Sequence, residues 1–560
     1  MLRKLLIAAA LAGIAALPAG ASRGTTAQIA TQSLLMPGVS YQREVQFTPH
    51  GPVVLDVVTA PRPDGSLYTL TPVLSNGAMV ATERLTDMQK ALSTTSTVVG
   101  VNGDFFAPNP GKPTGIVMRG GVLDAAPAVG RSSLGISADG ALTVARVAFD
   151  GTWRGTGQRR QFDLNAVPAL GHTTLYTSAW GPTTPAETGV VVDVIPSLPQ
   201  LTPNRVVSGA VAQVLGAGPV PIPPGGAVLV SRGGQAPHLT AEAPAGTTVE
   251  IRPTLTPNWS AMASALGGGP VLVSAGKPVF RAREAFGDPV LNRRSARSAV
   301  AQLSDGRILL VTVEGGGYAY SVGMTNYELA VALARLGAQT AFGLGGGPTA
   351  AMAFDGTLLT RGDEQQIADA LVLAYNGVYA GQLASTTLSP NGDGVDDVQT
   401  FAYKLVRQSK VTASVIGPDR TPRVLVQDDE QPGVHTLQWD GQGEVEGSWR
   451  FSVAAVDDLG RSTTAERAFA LNETLGSLQV TPRTGGLDAS FQLAHAASVT
   501  ATVEKANGIV LATLISKKLD PGAQSVSWSG RLGSGYRVRV VATNSIGKAT
   551  LIAPVTARRS

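Results

Sequence analysis

The sequence predicts an α+β protein, in which a mixed α/β domain is followed by two all-β immunoglobulin-like sandwiches. Residues 323–352 have the pattern of a helix, a short apolar strand and a glycine-rich turn in succession. Most of the remaining chain alternates apolar and polar residues between turns, and the chain contains 66 Gly and 36 Pro. A tryptophan-containing pattern that repeats near the C-terminus predicts the two sandwiches.

The N-terminus predicts export. Arg3 and Lys4 precede an apolar run at 5–17, and Ala-Gly-Ala at 19–21 fits a cleavage site, so residues 1–21 are predicted to be a signal peptide. Residues 22–35 are predicted to be a loose leader. No later stretch has the length and apolar character of a transmembrane segment. We therefore expect a secreted, periplasmic or cell-surface protein.

Length and composition narrow the classes of function. A chain of 560 residues is too long for one hydrophobic core, so several domains are expected. Lys and Arg exceed Asp and Glu by only four, 44 against 40, without a basic block, so nucleic acid is not an expected partner. The chain has no cysteine, which excludes disulfides and thiolate chemistry. Zinc-hydrolase and nucleotide-binding motifs are also absent from the sequence.

Residues 36–381 are predicted to form the mixed α/β domain. Within it, Thr325 and Glu328 have the spacing of a capping box, which predicts a helix starting there and ending before Gly337. Residues 362–376 fit a helix and a strand equally well.

Polar and glycine residues follow two of the predicted strands of this domain. A strand at 97–101 leads into Asn102, Gly103 and Asp104, and an apolar strand at 341–344 leads into a run of three glycines. A glycine-rich turn at a strand end lets the backbone approach a ligand closely, so we expect a binding site there.

Residues 382–472 and 473–560 are predicted to be the two sandwich modules. Trp439-Asp440-Gly441 in the first matches Trp528-Ser529-Gly530 in the second, and the later aromatic residues Trp449 and Tyr536 also correspond. These modules resemble the immunoglobulin-like domains of the flagellar hook-capping protein and of many secreted bacterial enzymes. A contact with cell-surface glycans is expected of them.

An acidic stretch opens the first module. Asn391, Asp393, the Val395 carbonyl and Asp397 alternate as in the first half of a calcium loop, which predicts a structural Ca²⁺ at the domain junction. Ala402 stands where such a loop has its bidentate glutamate. The alternative is a linker of Asx turns that needs no ion.

Five segments of the first domain occur in an order that resembles the phosphodiester glycosidase family. Three of them carry four motifs, namely VNGDFF at 101–106, Arg297-Ser298-Ala299, and both GMTNYELA and GLGGGPTAAM within 323–352, and the resemblance covers about residues 36–381. The best-known activity of this family removes α-linked N-acetylglucosamine from a phosphodiester. The sequence departs from the family at Gly345, where the family has Asp, and also at Pro348 and Thr349, where it has Gly and Ser.

The resemblance and the residue chemistry together give a set of candidate residues and no required cofactor. They are, for catalysis, Asp104 and Glu328, and for substrate binding, Asn102, Arg297, Gly345, Gly346, Gly347 and Thr349. A carboxylate stabilises the positive sugar centre, a phosphate leaves without protonation, and arginine or backbone amides hold the phosphate. Each residue also has a structural alternative, because Asp104, Asn102 and the glycines suit a turn, Arg297 suits a surface loop and Glu328 suits a helix cap.

Two hypotheses follow. The first is a hydrolase that cleaves a sugar from a sugar 1-phosphodiester in envelope or extracellular glycans, using Asp104 and Arg297. The second is a non-catalytic glycan-binding or structural protein on a degenerate enzyme fold, which Gly345 and Pro348 favour.

Overall fold

The computed structural model describes residues 27–556, and within them it corrects the predicted fold class. Strands contain 52% of these residues and helices 7%, so the first domain is nearly all β rather than a mixed α/β domain. The described helices are α1 (Leu85–Leu92), α2 (Ala236–Glu242), α3 (Asp288–Leu291) and α4 (Asn326–Arg335). Short 3₁₀ turns occur at Ser75–Gly77, Gly233–Gln235 and Gly347–Thr349.

The α+β prediction gave too much weight to local helix signals such as the capping box at Thr325. A helix forms there, as α4, and another forms as α1, but both lie against sheets built from distant strands. The ambiguous stretch 362–376 contains the strand Asp369–Tyr375, which is buried on both faces. A strand with two buried faces has a continuous apolar sequence, and its periodicity does not distinguish it from a buried helix.

An antiparallel eight-stranded sheet, here called the central sheet, supports the candidate site. In spatial order its strands are Ala27–Met36, Val39–Thr48, Gly51–Ala60, Ile308–Val313, Arg297–Leu303, Ala338–Gly343, Val271–Ser274 and Lys277–Pro278. Helix α4 packs on one face of it, where Leu329 and Leu333 are buried against Leu309 and Val311. The first strand contains residues 27–35, part of the stretch predicted to be a loose leader. The predicted signal peptide, residues 1–21, lies outside the described residues.

A second antiparallel sheet, here called the facing sheet, packs against the other face of the central sheet. Its strands are Thr357–Leu358, Met352–Phe354, Thr97–Asn102, Asp369–Tyr375 and Tyr68–Leu74. Val101 and Leu371 of the facing sheet share one core with Val300 and Phe342 of the central sheet. This core fixes the ends of Thr97–Asn102 and Ala338–Gly343 relative to each other, and both predicted site segments start there.

Three further sheets lie between the two halves of the central sheet in the chain. In spatial order, the first sheet consists of Val122–Ala125, Val117–Arg119, Met262–Leu266, Ser132–Ser137 and Leu142–Arg146. The second consists of Arg160–Gln161, Ala148–Arg154, Thr248–Thr256 and Val207–Ala210. The third consists of Asp163–Leu164, Thr173–Thr177, Ala227–Arg232, Thr188–Ile195 and Gln213–Ala217. Two short pairs complete this part, Glu83–Arg84 with Gln366–Ile367 and Phe106–Ala107 with Lys112–Pro113.

The C-terminal part contains four sheets around two separate hydrophobic cores. The first core lies between a three-stranded and a five-stranded sheet. The three-stranded sheet consists of Tyr379–Ala380, Gln399–Leu405 and Gly433–Trp439, and the five-stranded sheet of Thr387–Leu388, Ser462–Leu471, Gly447–Asp457, Ser409–Ile416 and Pro422–Glu430. The second core also lies between two sheets. One consists of the strands Leu475–Arg483, Gly486–Leu493 and Gly522–Ser529, and the other of Val510–Leu519, Ala497–Lys505, Tyr536–Thr543 and Lys548–Pro554. Their likeness to hook-capping modules stays a prediction.

The first C-terminal core is attached to the facing sheet by a buried lysine. Lys404, which is 5% exposed, donates to the carbonyls of Ser93 at 3.1 Å and Ser96 at 3.0 Å and pairs with Asp355 at 3.0 Å. No helix among residues 27–556 is long and apolar enough to cross a membrane.

Candidate functional site

Asn102 joins the ends of the two packed sheets. Its Nδ2 donates to the Gly345 carbonyl at 2.7 Å, and its Oδ1 accepts from Ser298 Oγ at 2.5 Å and from the Ala351 amide at 3.1 Å. The residue is 1% exposed. All three bonds go to protein atoms, so Asn102 positions the glycine turn.

The glycine turn, residues 345–349, lies directly on the ends of these strands. The Gly345 amide donates to the Gly103 carbonyl and the Gly347 amide to the Ala296 carbonyl, both at 2.8 Å. Thr349 Oγ1 donates to the Gly346 carbonyl at 3.2 Å. The amide of half-exposed Gly346 has no partner among the described residues, so it is free to bind a ligand oxygen.

Gly345 has no room for a side chain. A Cβ atom there would lie 2.9 Å from the Asp104 carbonyl oxygen and 3.0 Å from Asn102 Nδ2. Both atoms are held by the sheets, so the aspartate that the family resemblance leads one to expect at this position requires a shift of the backbone. The absence of a carboxylate at 345 is therefore built into the packing of this turn.

Arg297 lies beneath the glycine turn. It is 6% exposed, donates from Nε to the Met324 carbonyl at 3.1 Å and from Nη2 to the Arg293 carbonyl at 2.6 Å. Its Nη1 lies 3.7 Å from the position of a Cβ on Gly346 and has no partner among residues 27–556. Burial lowers the pKa of Arg297, and no carboxylate of the described chain is paired with it. An anion bound at Gly346 would supply the missing negative charge.

Asp104 is buried in the loop that follows the strand Thr97–Asn102. Its carboxylate accepts from the amides of Phe105 at 2.7 Å and Gly115 at 2.6 Å and from Thr114 Oγ1 at 3.2 Å. Burial raises the pKa of Asp104 to about 6. Both of its oxygens are thus bonded within the loop 104–115, and a catalytic role of Asp104 stays a prediction.

A second buried aspartate lies beside Asp104. Asp369 accepts from the Asp104 amide at 2.8 Å through Oδ1, and its Oδ2 has no partner among the described residues. Burial, followed by the charge of Asp104, raises the pKa of Asp369 well above its ordinary value. Asp369 was not among the predicted site residues because it lies within residues 362–376, the stretch whose secondary structure was ambiguous.

A cleft of about 500 Å³, here called the glycine cleft, borders the glycine turn. Its lining is rich in glycine and in charged residues. The lining residues are Arg294, Ser295, Ala296, Glu314, Gly315, Gly316, Gly317, Ser321, Val322, Gly347, Pro348, Ala350, Ala351, Leu358, Thr360, Arg361, Gly362, Asp363 and Glu364. Of the predicted site residues, only Gly347 is among them, and Gly346, Arg297 and Thr349 lie directly behind it.

Glu314 contributes a carboxylate to the glycine cleft. It follows the strand Ile308–Val313, is 3% exposed, and pairs with Arg43. It also accepts from Tyr320 Oη at 2.7 Å and from the Arg361 amide at 3.2 Å. The only sequence signal was a strand ending in Glu-Gly-Gly-Gly, which is weak on its own.

Asp56 forms a carboxyl pair with Glu314 beneath the cleft. It lies on the strand Gly51–Ala60, is 0% exposed and accepts from Tyr41 Oη at 2.6 Å. Burial and the neighbouring Glu314 carboxylate raise the pKa of Asp56 to about 8, so Asp56 carries its proton at neutral pH.

Glu328 lies at the start of α4 and does not line the glycine cleft. The capping box forms, with Glu328 Oε2 accepting from the Thr325 amide at 2.9 Å. Its other oxygen pairs with Arg294, which does line the cleft. The geometry makes Glu328 a positioning residue for Arg294.

The two aspartates among the predicted calcium ligands accept from backbone amides, whereas Asn391 Oδ1 has no partner among the described residues. Asp397 accepts from Asn391 at 2.9 Å, Gly392 at 2.7 Å and Gly394 at 2.6 Å. Asp393 accepts from Val395 and, on the second C-terminal core, from Ile552, both at 2.7 Å.

Within residues 27–556, no group of three or more His, Cys, Asp or Glu side chains has a geometry that could hold a metal. Calcium binding at Asn391, Asp393, Val395 and Asp397 stays a prediction.

Comparison with known proteins supports part of the family resemblance. The model of the phosphodiester glycosidase family, a family of hydrolases, matches residues 204–374, which include Arg297, Glu314 and the glycine turn but not Asp104. No curated protein matches the chain.

Solved structures resemble the fold. A hypothetical protein from Synechocystis is 26% identical with a TM-score of 0.51, and the match covers 60% of this chain and 62% of that protein. A putative exported protein from Burkholderia pseudomallei K96243 is 18% identical, also with a TM-score of 0.51, covering 63% of this chain and 97% of the other. The catalytic domain of zebrafish N-acetylglucosamine-1-phosphodiester alpha-N-acetylglucosaminidase is 13% identical, and the match covers 63% of this chain and 87% of that domain. Its TM-score of 0.33 is too low to indicate a shared fold.

Proposed function

We propose that the chain is a hydrolase that cleaves a sugar from a sugar 1-phosphodiester of envelope or extracellular glycans, with the glycine cleft as the reaction site. The observation that carries the proposal is the cleft itself. It has the Glu314 carboxylate in its lining and borders the glycine turn, whose Gly346 amide has no partner among the described residues. The match of residues 204–374 to the phosphodiester glycosidase family supports the same reaction class.

In this proposal the phosphate of the substrate lies on the side of the cleft formed by the glycine turn, and the sugar lies on the opposite side. The phosphate would accept hydrogen bonds from the Gly346 amide and from Arg297 Nη1, and it would balance the buried charge of that arginine. Arg294 and the Arg361 side chain lie in the same lining and add positive charge. The sugar would then lie towards Glu314.

In the bond-breaking step, Glu314 takes a proton from a water molecule whose oxygen attacks the anomeric carbon of the sugar. The bond between this carbon and the bridging oxygen breaks, and its electron pair leaves with the phosphate. A phosphate with a second pKa of about 6 leaves without a proton donor. The carboxylate also stabilises the positive charge that develops on the sugar ring. The proposal requires no cofactor.

A second candidate, a non-catalytic glycan-binding protein, is favoured by one observation. Gly345 has neither the family's carboxylate nor space for one. Under this reading the cleft would bind a glycosyl phosphate and release it unchanged.

The test is release of free sugar from a panel of sugar 1-phosphodiesters by the purified chain. We expect turnover by the wild type and at least a hundredfold lower kcat for the folded fraction of Glu314→Gln. Glu250→Gln, on a strand far from the cleft in sequence and paired with Arg159, is the matched control and should be fully active.

Asp104→Asn separates the two carboxylates. It should lower stability and leave kcat of the folded fraction within tenfold of the wild type. Loss of turnover in Asp104→Asn with full activity in Glu314→Gln would move the catalytic role back to Asp104. Saturable binding with no turnover across the panel would favour the second candidate.

A further inference from the structure

A second groove, here called the aromatic groove, lies beside α3 and the start of α4. Its volume is about 570 Å³, and its lining includes Phe280, Arg281, Asp288, Asn292 and Tyr327. The rings of Phe280 and Tyr327 meet edge to face, with centroids 4.9 Å apart and planes at 83°. Phe280 is 67% exposed and Tyr327 41% exposed, so much of each ring faces solvent.

Exposed aromatic rings are otherwise rare in this protein. Among residues 31–556, whose side chains the structure describes, four aromatic side chains are exposed, namely Phe47, Phe280, Tyr318 and Tyr327. Two of them line the aromatic groove, and Tyr318 directly follows the run 315–317 that lines the glycine cleft. Exposed apolar side chains that gather in one place mark a binding surface.

The aromatic groove is connected to the glycine cleft through shared lining residues. Tyr327 lines both the aromatic groove and a third depression, which also contains Glu328 and Arg294. Arg294 lines both this depression and the glycine cleft. The glycine cleft, this depression and the aromatic groove therefore adjoin one another at Arg294 and Tyr327.

The connecting segment carries positive charge. Residues 280–297 contain five arginines, Arg281, Arg283, Arg293, Arg294 and Arg297, against the two acids Glu284 and Asp288. Glu284 is buried and bonded to Ser132 and Val271, so it does not offset the charge at the surface. Arg297 is buried as well and Arg294 is paired with Glu328, so the exposed cations of the segment are Arg281, Arg283 and Arg293. The surface thus combines aromatic rings, which pack against the C–H face of a sugar, with cations that attract phosphate.

We propose that the aromatic groove is a binding site for further units of the substrate, and that the substrate is an anionic polymer whose sugars are joined through phosphodiesters. The inference rests on the proposed function. Phe280 and Tyr327 would stack against the sugar one or two units from the bond that is cleaved. The arginines of residues 280–297 would contact the phosphates between them.

The experiment compares two probes on the full chain. One is a synthetic trimer of N-acetylglucosamine residues joined by 1,6-phosphodiesters, and the other is its single unit, methyl N-acetylglucosaminyl phosphate. Dissociation constants are measured by calorimetry on the Glu314→Gln background, and kcat and KM are measured on otherwise unaltered protein. We expect the trimer to bind at least tenfold more tightly than the single unit.

Ring removal tests the groove itself. Phe280→Ala and Tyr327→Ala should each weaken trimer binding at least fivefold and raise KM for the trimer, while kcat and the affinity for the single unit stay unchanged. Phe280→Trp and Tyr327→Phe, which keep a ring, should retain trimer binding. Phe47→Ala removes an equally exposed ring that does not line the groove, and it serves as the matched control.

Two results would overturn the inference. One is equal affinity for trimer and single unit, and the other is trimer binding that Phe280→Ala and Tyr327→Ala leave unchanged. The failure of the proposed function is a different result, because absence of turnover with intact, ring-dependent trimer binding would reject the hydrolase and retain the groove.

Discussion

Replacement of Asn102 by alanine tests the junction that holds the glycine turn. The change removes the partner of the Gly345 carbonyl, of Ser298 Oγ and of the Ala351 amide, all of which are bonded to the Asn102 side chain. Each unsatisfied buried group costs about 1 kcal/mol, so the three together should lower the local stability by about 3 kcal/mol. Since about 1.4 kcal/mol corresponds to a factor of ten, local opening should become about a hundredfold more frequent.

Hydrogen exchange read by mass spectrometry measures this opening directly. Peptides that contain residues 97–106 and 338–354 should exchange about a hundredfold faster in Asn102→Ala, while the C-terminal peptides keep their wild-type rates. Asn507→Ala, at an exposed asparagine of the second C-terminal core, is the control and should leave both regions unchanged. Equal exchange in the two variants would refute the account of Asn102 as the support of the turn.

Three further predictions concern charged groups elsewhere. The folded-state pKa of Asp56 is about 8, above the ordinary value of about 3.9. Its contribution to stability is therefore complete below pH 4 and is lost as the pH rises through 8. The decrease in unfolding free energy between about pH 5 and pH 8.5 should be smaller in Asp56→Asn than in the wild type. Lys404→Met should lower the unfolding free energy by about 2 kcal/mol because Asp355 and two carbonyls lose their buried partner, whereas exposed Lys410→Met should not. Asp397→Ala should lower the unfolding temperature even in EDTA, since the Asp397 oxygens accept from three backbone amides. If Ca²⁺ raises the unfolding temperature of the wild type but not that of Asp397→Ala, the loop binds the ion.

The sequence predicted those parts of the site that depend on neighbouring residues. The capping box of Thr325 and Glu328, the helix that it starts and the turn at 345–347 are local patterns, and the structure contains each of them. Asn102 and the glycine turn were singled out on local grounds, and they are bonded to each other because their strands end side by side.

Residues brought together by long-range pairing were not predictable in this way. Glu314 and Asp56 lie on adjacent strands of the central sheet, although they are far apart in the chain. Neither has a sequence signal that points to the other. The predicted fold class was wrong for the same reason, because two short local helices outweighed many strands whose partners are distant. Asp104 and Asp369 show the opposite case. A sequence motif singled out Asp104, but its carboxylate is bonded within a buried loop and its amide donates to Asp369, which no motif indicated.

The most direct test of the central claim is hydrolysis of a sugar 1-phosphodiester in water enriched in oxygen-18, followed by mass spectrometry of both products. The account predicts that the wild type places the label on the anomeric hydroxyl of the released sugar and none on the phosphate, and that Glu314→Gln releases neither. Label in the phosphate, or undiminished turnover by Glu314→Gln, would contradict cleavage at the anomeric carbon by the carboxylate of the glycine cleft.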